Sequence, residues 1–192
     1  MNENKVSFDK LFNVFRSETF LERKGLGGDM PFYIQAYEPT DEIYIQKSLI
    51  ALKKKLIESG ITVKEINLFQ IIIDKFEEDH ILEQVISAEK SNSKPRFLKL
   101  IRGPIKIETS IIPKLKEEIE TELPQIIFLT GIGAAYPIIR AHTFLNNLHT
   151  IINTSSLVMF YPGKFTDTSL SLFSNHKEDN YYQAYNLNHF NI

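Results

Sequence analysis

The sequence predicts an α/β fold in which helices cover both faces of a mostly parallel central sheet of about five strands. Residues 125–130 and 157–161 are continuous apolar runs, as expected of strands buried on both faces. Helical periodicity fills the segments between the predicted strands, which implies right-handed crossovers and a parallel sheet. We therefore predict three layers with a Rossmann-like or P-loop-like topology that lacks a phosphate-binding loop.

The beginning of the chain predicts a helix, a glycine-rich loop and a strand. The loop is Gly25–Asp29, which could act as a hinge, and the strand is Pro31–Tyr37. The helix is predicted because four apolar side chains recur at helical spacing: Phe8, Leu11, Phe12 and Phe15.

A longer helix follows the first strand. Thr40, Asp41 and Glu42 supply a cap and first-turn acids, and Gly60 ends the helix. Its apolar stripe consists of Ile45, Leu49, Leu52 and Leu56.

The middle of the chain predicts a strand at 62–68, a helix at 68–91 and an irregular stretch at 91–108 that joins short helices. Pro113 is tolerated in the next helix because first-turn amides need no partner within the helix. That helix carries the stripe Ile112, Leu115, Ile119 and Leu123. We predict one domain over residues 1–192, with a helical insertion at about 80–123.

The second half predicts alternating strands and helices. The apolar run 125–130 ends at Gly131, a helix covers about 135–152, and the run 157–161 is followed by Pro162 and Gly163. A last short strand, at 181–187, is predicted to join a sheet edge.

Composition excludes several classes of protein. The 22 basic and 24 acidic residues give a net charge of −2, so we expect no autonomous nucleic-acid binding. The chain has no cysteine, which excludes disulfides, thiolate metal sites and a cysteine nucleophile. No apolar run approaches the length of a membrane span, so we expect neither a signal peptide nor a membrane-spanning segment.

Ligands of such sheets bind at the carboxyl ends of the strands, but the motifs there are incomplete. Gly131 and Gly133 begin like a dinucleotide-binding fingerprint, yet Tyr136 stands at the third glycine position and Tyr161 replaces the expected acid. Lys164 follows a single glycine and lacks the adjacent hydroxyl of a P-loop. We expect no nucleotide cofactor.

Metal and nucleophile motifs are also missing. The five histidines form no His-Glu-x-x-His pattern, and His142 and His149, two turns apart, would lie roughly 10 Å from each other. No serine stands in a Gly-x-Ser-x-Gly elbow. Arg140 and His142 could bind an anion or a partner carboxylate, although a helix histidine satisfied within the chain is the simpler interpretation. We expect no metal, no catalytic residue and no enzymatic activity.

Five segments, in order along the chain, resemble the BrxB family of BREX bacteriophage-exclusion systems. They are GLGGDMPFYIQAY at 25–37, VKEINLF at 63–69, TGIGAAYPIIRAHTFLNNLH at 130–149, LVMFYPGKFTDTSLSLF at 157–173 and DNYYQAYNL at 179–187. The resemblance implies a bacterial or archaeal cytoplasmic protein made alongside a large ATPase, a DNA adenine methyltransferase and the phosphatase-like protein PglZ. It implies a required component without an assigned catalytic centre.

The resemblance and the missing motifs together predict a non-catalytic adaptor or scaffold that binds other BREX subunits, first of all PglZ, and supports host DNA methylation and phage restriction. A nucleotide or nucleic-acid sensor that uses the same strand ends is the alternative, and an enzyme with an unrecognised site is a third hypothesis.

The predicted partner-binding surface is the carboxyl edge of the sheet with the tyrosine-rich segment near the end of the chain. Tyrosines favour interfaces, although an edge strand explains that segment equally well. The glycines could instead serve tight turns that need a positive φ. The surface comprises Gly131, Gly133, Tyr136, Arg140, His142, Asn146, Asn147, Tyr161, Gly163, Asp179, Asn180, Tyr181 and Tyr182.

Overall fold

The computed structural model describes residues 6–22, 32–152, 154–166, 169–174, 176–178 and 184–189. Its helices are α1 Phe8–Arg16, α2 Glu18–Leu21, α3 Glu42–Glu58, α4 Leu68–Glu78, α5 Leu82–Ser91, α6 Lys94–Arg102, α7 Ile112–Glu122, α8 Ile132–Ala135 and α9 Ala141–Leu148. Its strands are β1 Phe32–Tyr37, β2 Val63–Asn67, β3 Ile126–Thr130, β4 Ser156–Phe165, β5 Leu170–Leu172, β6 His176–Glu178 and β7 Tyr185–Asn186. Short turns of 3-10 or π helix cover Pro39–Asp41, Ile107–Ile111 and Leu187–His189.

Among the described residues, five strands form a parallel sheet in the order β2-β3-β4-β1-β7. Val158 in β4 lies between Phe128 of β3 and Tyr33 of β1, which fixes the register at the centre. The strands β5 and β6 extend the far end of β4 as an antiparallel hairpin. The predicted α/β class and mostly parallel sheet are confirmed.

Alternate residues of each central strand enter different cores, because side chains point to opposite faces of a strand. On one face the sheet packs against α4 to α9, and on the other against α1 to α3, which gives the three predicted layers. The first core takes Ile34, Ile66, Ile127, Leu129, Leu157 and Met159 from the sheet. The second takes Tyr33, Ile126, Phe128, Val158 and Phe160.

The helix α3 matches its predicted stripe and its predicted end, but the predicted cap is wrong, because Asp41 at the N-cap makes no side-chain cap hydrogen bond. Its predicted stripe is buried, and it ends in a Schellman motif at Gly60, which has φ +83°. The Gly60 N–H donates to the Ile57 carbonyl at 2.9 Å, and the Ile61 N–H donates to the Leu56 carbonyl at 3.0 Å.

The predicted helix at 68–91 is wrong in extent, because it is two helices, α4 and α5. His80 adopts φ +56° and ends α4 with the same pair of backbone hydrogen bonds that Gly60 makes after α3. A histidine is an uncommon residue at this position, so the pattern gave no sign of the break. The α7 stripe is also one residue shorter than predicted, because Leu123 has φ +46° and is exposed.

The predicted helix at 135–152 is wrong in extent: the single turn α8 ends at Ala135, a turn follows, and only the shorter helix α9 forms within the predicted range. Pro137 pushes Tyr136 into an extended conformation with ψ 137°, which ends α8. The helix α9 starts only after Arg140, which is also extended.

The strand β4 runs further than the predicted 157–161, through Pro162 and Gly163 to Phe165. The Pro162 carbonyl accepts a hydrogen bond from the Phe173 N–H at 2.9 Å, so pairing with the β5 hairpin continues the strand. The predicted last strand begins at Tyr185 and pairs in parallel with β1, while residues 181–183 and the loop Gly25–Asp29 lie outside the described residues.

Candidate partner-binding surface at the carboxyl edge

The carboxyl ends of β2 and β3 meet at a corner that we call the closed corner, formed by Glu65, Asn67, Thr130 and Gly131. Asn67 caps α4, since its Oδ1 accepts hydrogen bonds from the Phe69 and Gln70 N–H groups, both at 3.1 Å. Gly131 has φ +70°, and a Cβ there would lie 2.1 Å from the Asn67 Oδ1. Gly131 is therefore needed so that β3 can turn past the capped helix.

The polar side chains of the closed corner also pair within the chain. The Thr130 hydroxyl donates to the Glu65 Oε1 at 2.9 Å. A crevice of about 240 Å³ opens beside it, where the Tyr37 hydroxyl donates to the Glu42 Oε2 at 2.6 Å. Burial, together with the hydrogen bond to Glu42, raises the pKa of Tyr37 above its usual range. The two carboxylates make this crevice unsuited to a phosphate.

The hairpin β5–β6 covers the other predicted glycines. A Cβ at Gly133 would lie 3.1 Å from Pro162 Cγ and from Phe173 Cε1, and a Cβ at Gly163 would lie 2.2 Å from the Ser171 carbonyl oxygen. Both glycines therefore allow α8 and β4 to approach the hairpin closely. The structure brings Gly131, Gly133 and Gly163 to the same end of the sheet, as predicted from their places in the chain.

A larger hollow of about 590 Å³ lies where β1 and β7 end beside the last residues of β4. We call it the open cavity, and its polar lining includes Lys10, Gln35, Lys164, Asn186 and Asn188. The buried Gln35 donates through Nε2 to the Asn188 Oδ1 at 2.7 Å, and Lys10 Nζ donates to the Asn188 carbonyl at 3.3 Å. Sequence reasoning missed Gln35 and Asn188.

The turn between α8 and α9 and the first residues of α9 carry three of the predicted residues. Tyr136 is partly buried, Arg140 is exposed, and the Nε2 of His142 lies 3.1 Å from the hydroxyl of Thr143. Arg102, at the end of α6, donates to the Pro137 carbonyl and so ties this turn to the helical layer. Arg140 is the most accessible of the three for a partner.

The remaining predicted residues do not join this surface. Tyr161 is fully buried in the core, so its side chain is unavailable to a partner. Asn146 and Asn147 lie on the last turn of α9, next to His149, whose ring stacks on Phe32 at 5.5 Å between centroids. Because Phe32 is the first residue of β1, this turn lies towards the amino ends of the strands, away from the predicted surface. Asp179, Asn180, Tyr181 and Tyr182 lie outside the described residues.

Two further features are absent from the part of the chain that the structure describes. It holds no group of three or more histidine, aspartate or glutamate side chains placed to bind a metal ion. Its helices also fall short of the length and apolar character that a membrane crossing requires.

The fold and this edge define a three-layer α/β protein with a parallel sheet whose strand-end glycines serve packing. The sequence profile of the family described as BREX protein BrxB matches residues 64–187. The chain is 31% identical to a BREX protein BrxB of Bacillus cereus (strain H3081.97), over 93% of this chain and 94% of that protein. It is 29% identical to a BREX protein BrxB of Escherichia coli O9:H4 (strain HS), over 88% of this chain and 84% of that protein. No solved structure matches it significantly.

These matches cover most of the chain, and the chain belongs to the BrxB family.

Proposed function

We propose that this chain, a BREX phage-defence component, is a non-catalytic adaptor that binds other BREX subunits through the carboxyl edge of its sheet. The partner that we propose first is PglZ, followed by the BREX ATPase and the methyltransferase. In this role the chain would support host DNA methylation and phage restriction in the cytoplasm.

The observation that carries the proposal is the closed corner. Nucleotide-binding α/β proteins place a phosphate against free N–H groups at the start of a helix. Here the Asn67 Oδ1 accepts from two such N–H groups of α4, and Gly131 packs against that same side chain. At the start of α4, the N–H groups that a phosphate would use are already bonded by the protein itself, which favours protein binding over nucleotide binding at this corner.

The exposed cations of the same edge favour a partner with complementary charge. Arg140 on the turn before α9 and Lys164 at the end of β4 are both exposed. The net charge of −2 does not favour a nucleic acid as that partner. An acidic or hydrogen-bonding patch on another BREX subunit suits these groups better.

The test is a pull-down of the tagged chain from cells that carry the complete defence operon. The wild type is compared with Arg140→Glu and with Lys164→Glu, and Arg96→Glu, an exposed change on α6, serves as the matched control. We expect the wild type and the control to retain PglZ or another operon protein, and the two edge variants to lose it. Retrieval of no operon-encoded protein by the wild type would refute the adaptor role, and binding of a nucleotide by the purified chain would support the sensor instead.

A further inference from the structure

A second surface, apolar rather than charged, lies on the outer face of α3. Ile43, Ile50 and Ile57 are 69%, 70% and 52% exposed, although the opposite face of the same helix is fully buried. Single exposed apolar residues are common on protein surfaces. Three on one helix at a constant spacing form a pattern, which we call the isoleucine row.

The spacing aligns these side chains. Residues seven apart drift by only about 20° around an α-helix, so the three isoleucines form a nearly straight row. The row is about 21 Å long, at a rise of 1.5 Å per residue. This is the geometry of the seam along which one helix packs on another.

The flanks of the row are mainly basic. Lys47 and Lys54 follow an isoleucine by four positions, and Lys53 follows one by three, so all three lysines border the row. Lys54 Nζ is 3.9 Å from Glu58 and Lys53 Nζ is 4.0 Å from Glu65, both at the outer limit of an ion pair. The Lys54 pair is exposed and the Lys53 pair is partly exposed; at these distances both are weak, and the ammonium groups can turn to an incoming carboxylate.

A second copy of the chain does not fit this pattern. An antiparallel pair of α3 helices centred on Ile50 would set Lys47 of one copy against Lys54 of the other, and a parallel pair would set Lys53 of one copy against Lys54 of the other. Like charges facing each other across such a seam disfavour the pairing. A lipid surface fits less well too, because membrane-binding helices bury a broad apolar face and the row is one residue wide.

We propose that the isoleucine row binds an amphipathic helix of a partner protein, one that carries apolar residues at heptad spacing with glutamate or aspartate beside them. Apolar contact along the row stabilises the complex, and the lysines select acidic flanks and the register of the partner helix.

The test uses two synthetic helices, each about three heptads long, with the same isoleucines at heptad spacing. One has glutamate flanks and the other has lysine flanks, and binding to the full chain is followed by fluorescence anisotropy. We expect the acidic helix to bind, and its affinity to fall with added salt. Ile50→Glu should weaken binding by at least about tenfold, as expected when a charge enters the centre of an apolar contact.

Two control variants distinguish binding at the isoleucine row from non-specific apolar binding and from binding at the carboxyl edge. Leu100→Glu changes an exposed residue of α6 with 51% exposure, and Arg140→Glu changes the other proposed surface; both should bind the acidic helix like the wild type. Equal binding of the two helices, no binding of either, or an equal loss with Leu100→Glu would overturn the proposal. So would a dimer in light scattering that Ile50→Glu dissociates, or tighter binding to phosphatidylglycerol vesicles than to the acidic helix.

Discussion

The closed corner and the open cavity lie at the same end of the sheet but differ in how they use their polar groups. In the closed corner, the carboxamide of Asn67 and the hydroxyl of Thr130 are committed to partners a few ångströms away, and Gly131 leaves no space between them. The open cavity holds about 590 Å³ with Lys164 exposed on its rim. The strand-end glycines of the closed corner therefore serve close packing, whereas the accessible polar side chains lie beside β1, β7 and the end of β4.

The largest expected effect comes from filling the closed corner. Gly131→Ala should lower the free energy of unfolding by about 2–4 kcal/mol, since the new methyl group displaces the Asn67 cap and a positive φ is unfavourable for alanine. Urea unfolding followed by circular dichroism measures this loss.

A double variant makes that prediction sharper. In Gly131→Ala combined with Asn67→Ala, the clashing carboxamide is gone, so the combined loss should be clearly smaller than the sum of the two single losses. Strictly additive losses would show that the two residues do not interact, which would contradict the packing of Gly131 against Asn67.

Tyr37 lines both the crevice of the closed corner and the open cavity, so Tyr37→Phe tests whether one side chain stabilises both regions. Loss of the hydrogen bond to the Glu42 carboxylate should cost about 1–2 kcal/mol, less than filling the corner. The backbone and ring packing are unchanged, so circular dichroism should match the wild type.

The same residue gives a pH prediction. Because the pKa of Tyr37 is raised in the folded chain, the unfolded chain releases this proton first, above about pH 10. The contribution of Tyr37 to stability is therefore complete below that pH and is lost as the pH rises further. Urea titrations from pH 8 to 11 should show a stability difference between wild type and Tyr37→Phe that shrinks at the alkaline end; a constant difference would contradict the assignment.

The fold was largely predictable because its signals are local. The apolar runs of β3 and β4 and the stripe of α3 each lie within one short segment. Breaks that depend on one backbone angle were missed: His80 takes a positive φ without being glycine, and Tyr136 is extended because Pro137 follows it. Pro162 looked like the end of a strand, and only pairing with a later hairpin carries β4 past it.

The candidate site was less predictable because its contacts join distant parts of the chain. The position of Gly131 and its positive φ could be inferred from a strand followed by a helix, but its neighbour Asn67 belongs to another strand. Gln35 and Asn188 are 153 positions apart, and no local pattern links them. Asn147 lies away from the predicted surface because α9 runs back from the carboxyl edge, so that its last turn lies near Phe32 at the start of β1.

A smaller effect is expected in the open cavity from Asn188→Ala. This change removes the acceptor of the Gln35 carboxamide and should cost about 1 kcal/mol, because Gln35 still donates to the Ala36 carbonyl at 3.1 Å. The shift in the thermal unfolding temperature measures this loss. Asn92→Ala, at the distant end of α5, is the matched control, because it also removes a side-chain amide. A loss as large as that of Gly131→Ala would mean that the open cavity is as tightly built as the closed corner.

The smallest effect on stability should come from Lys164→Glu, at the rim of the open cavity. The side chain is exposed, so the free energy of unfolding should change by no more than about 0.5 kcal/mol. Capture of a BREX subunit should nevertheless fall, because a rim charge acts on the approach and orientation of a partner. Lys164→Gln removes the charge without reversing it and should lose less. If both variants capture partners like the wild type, the open cavity is not the binding half of this edge, and the interface moves to the turn around Arg140.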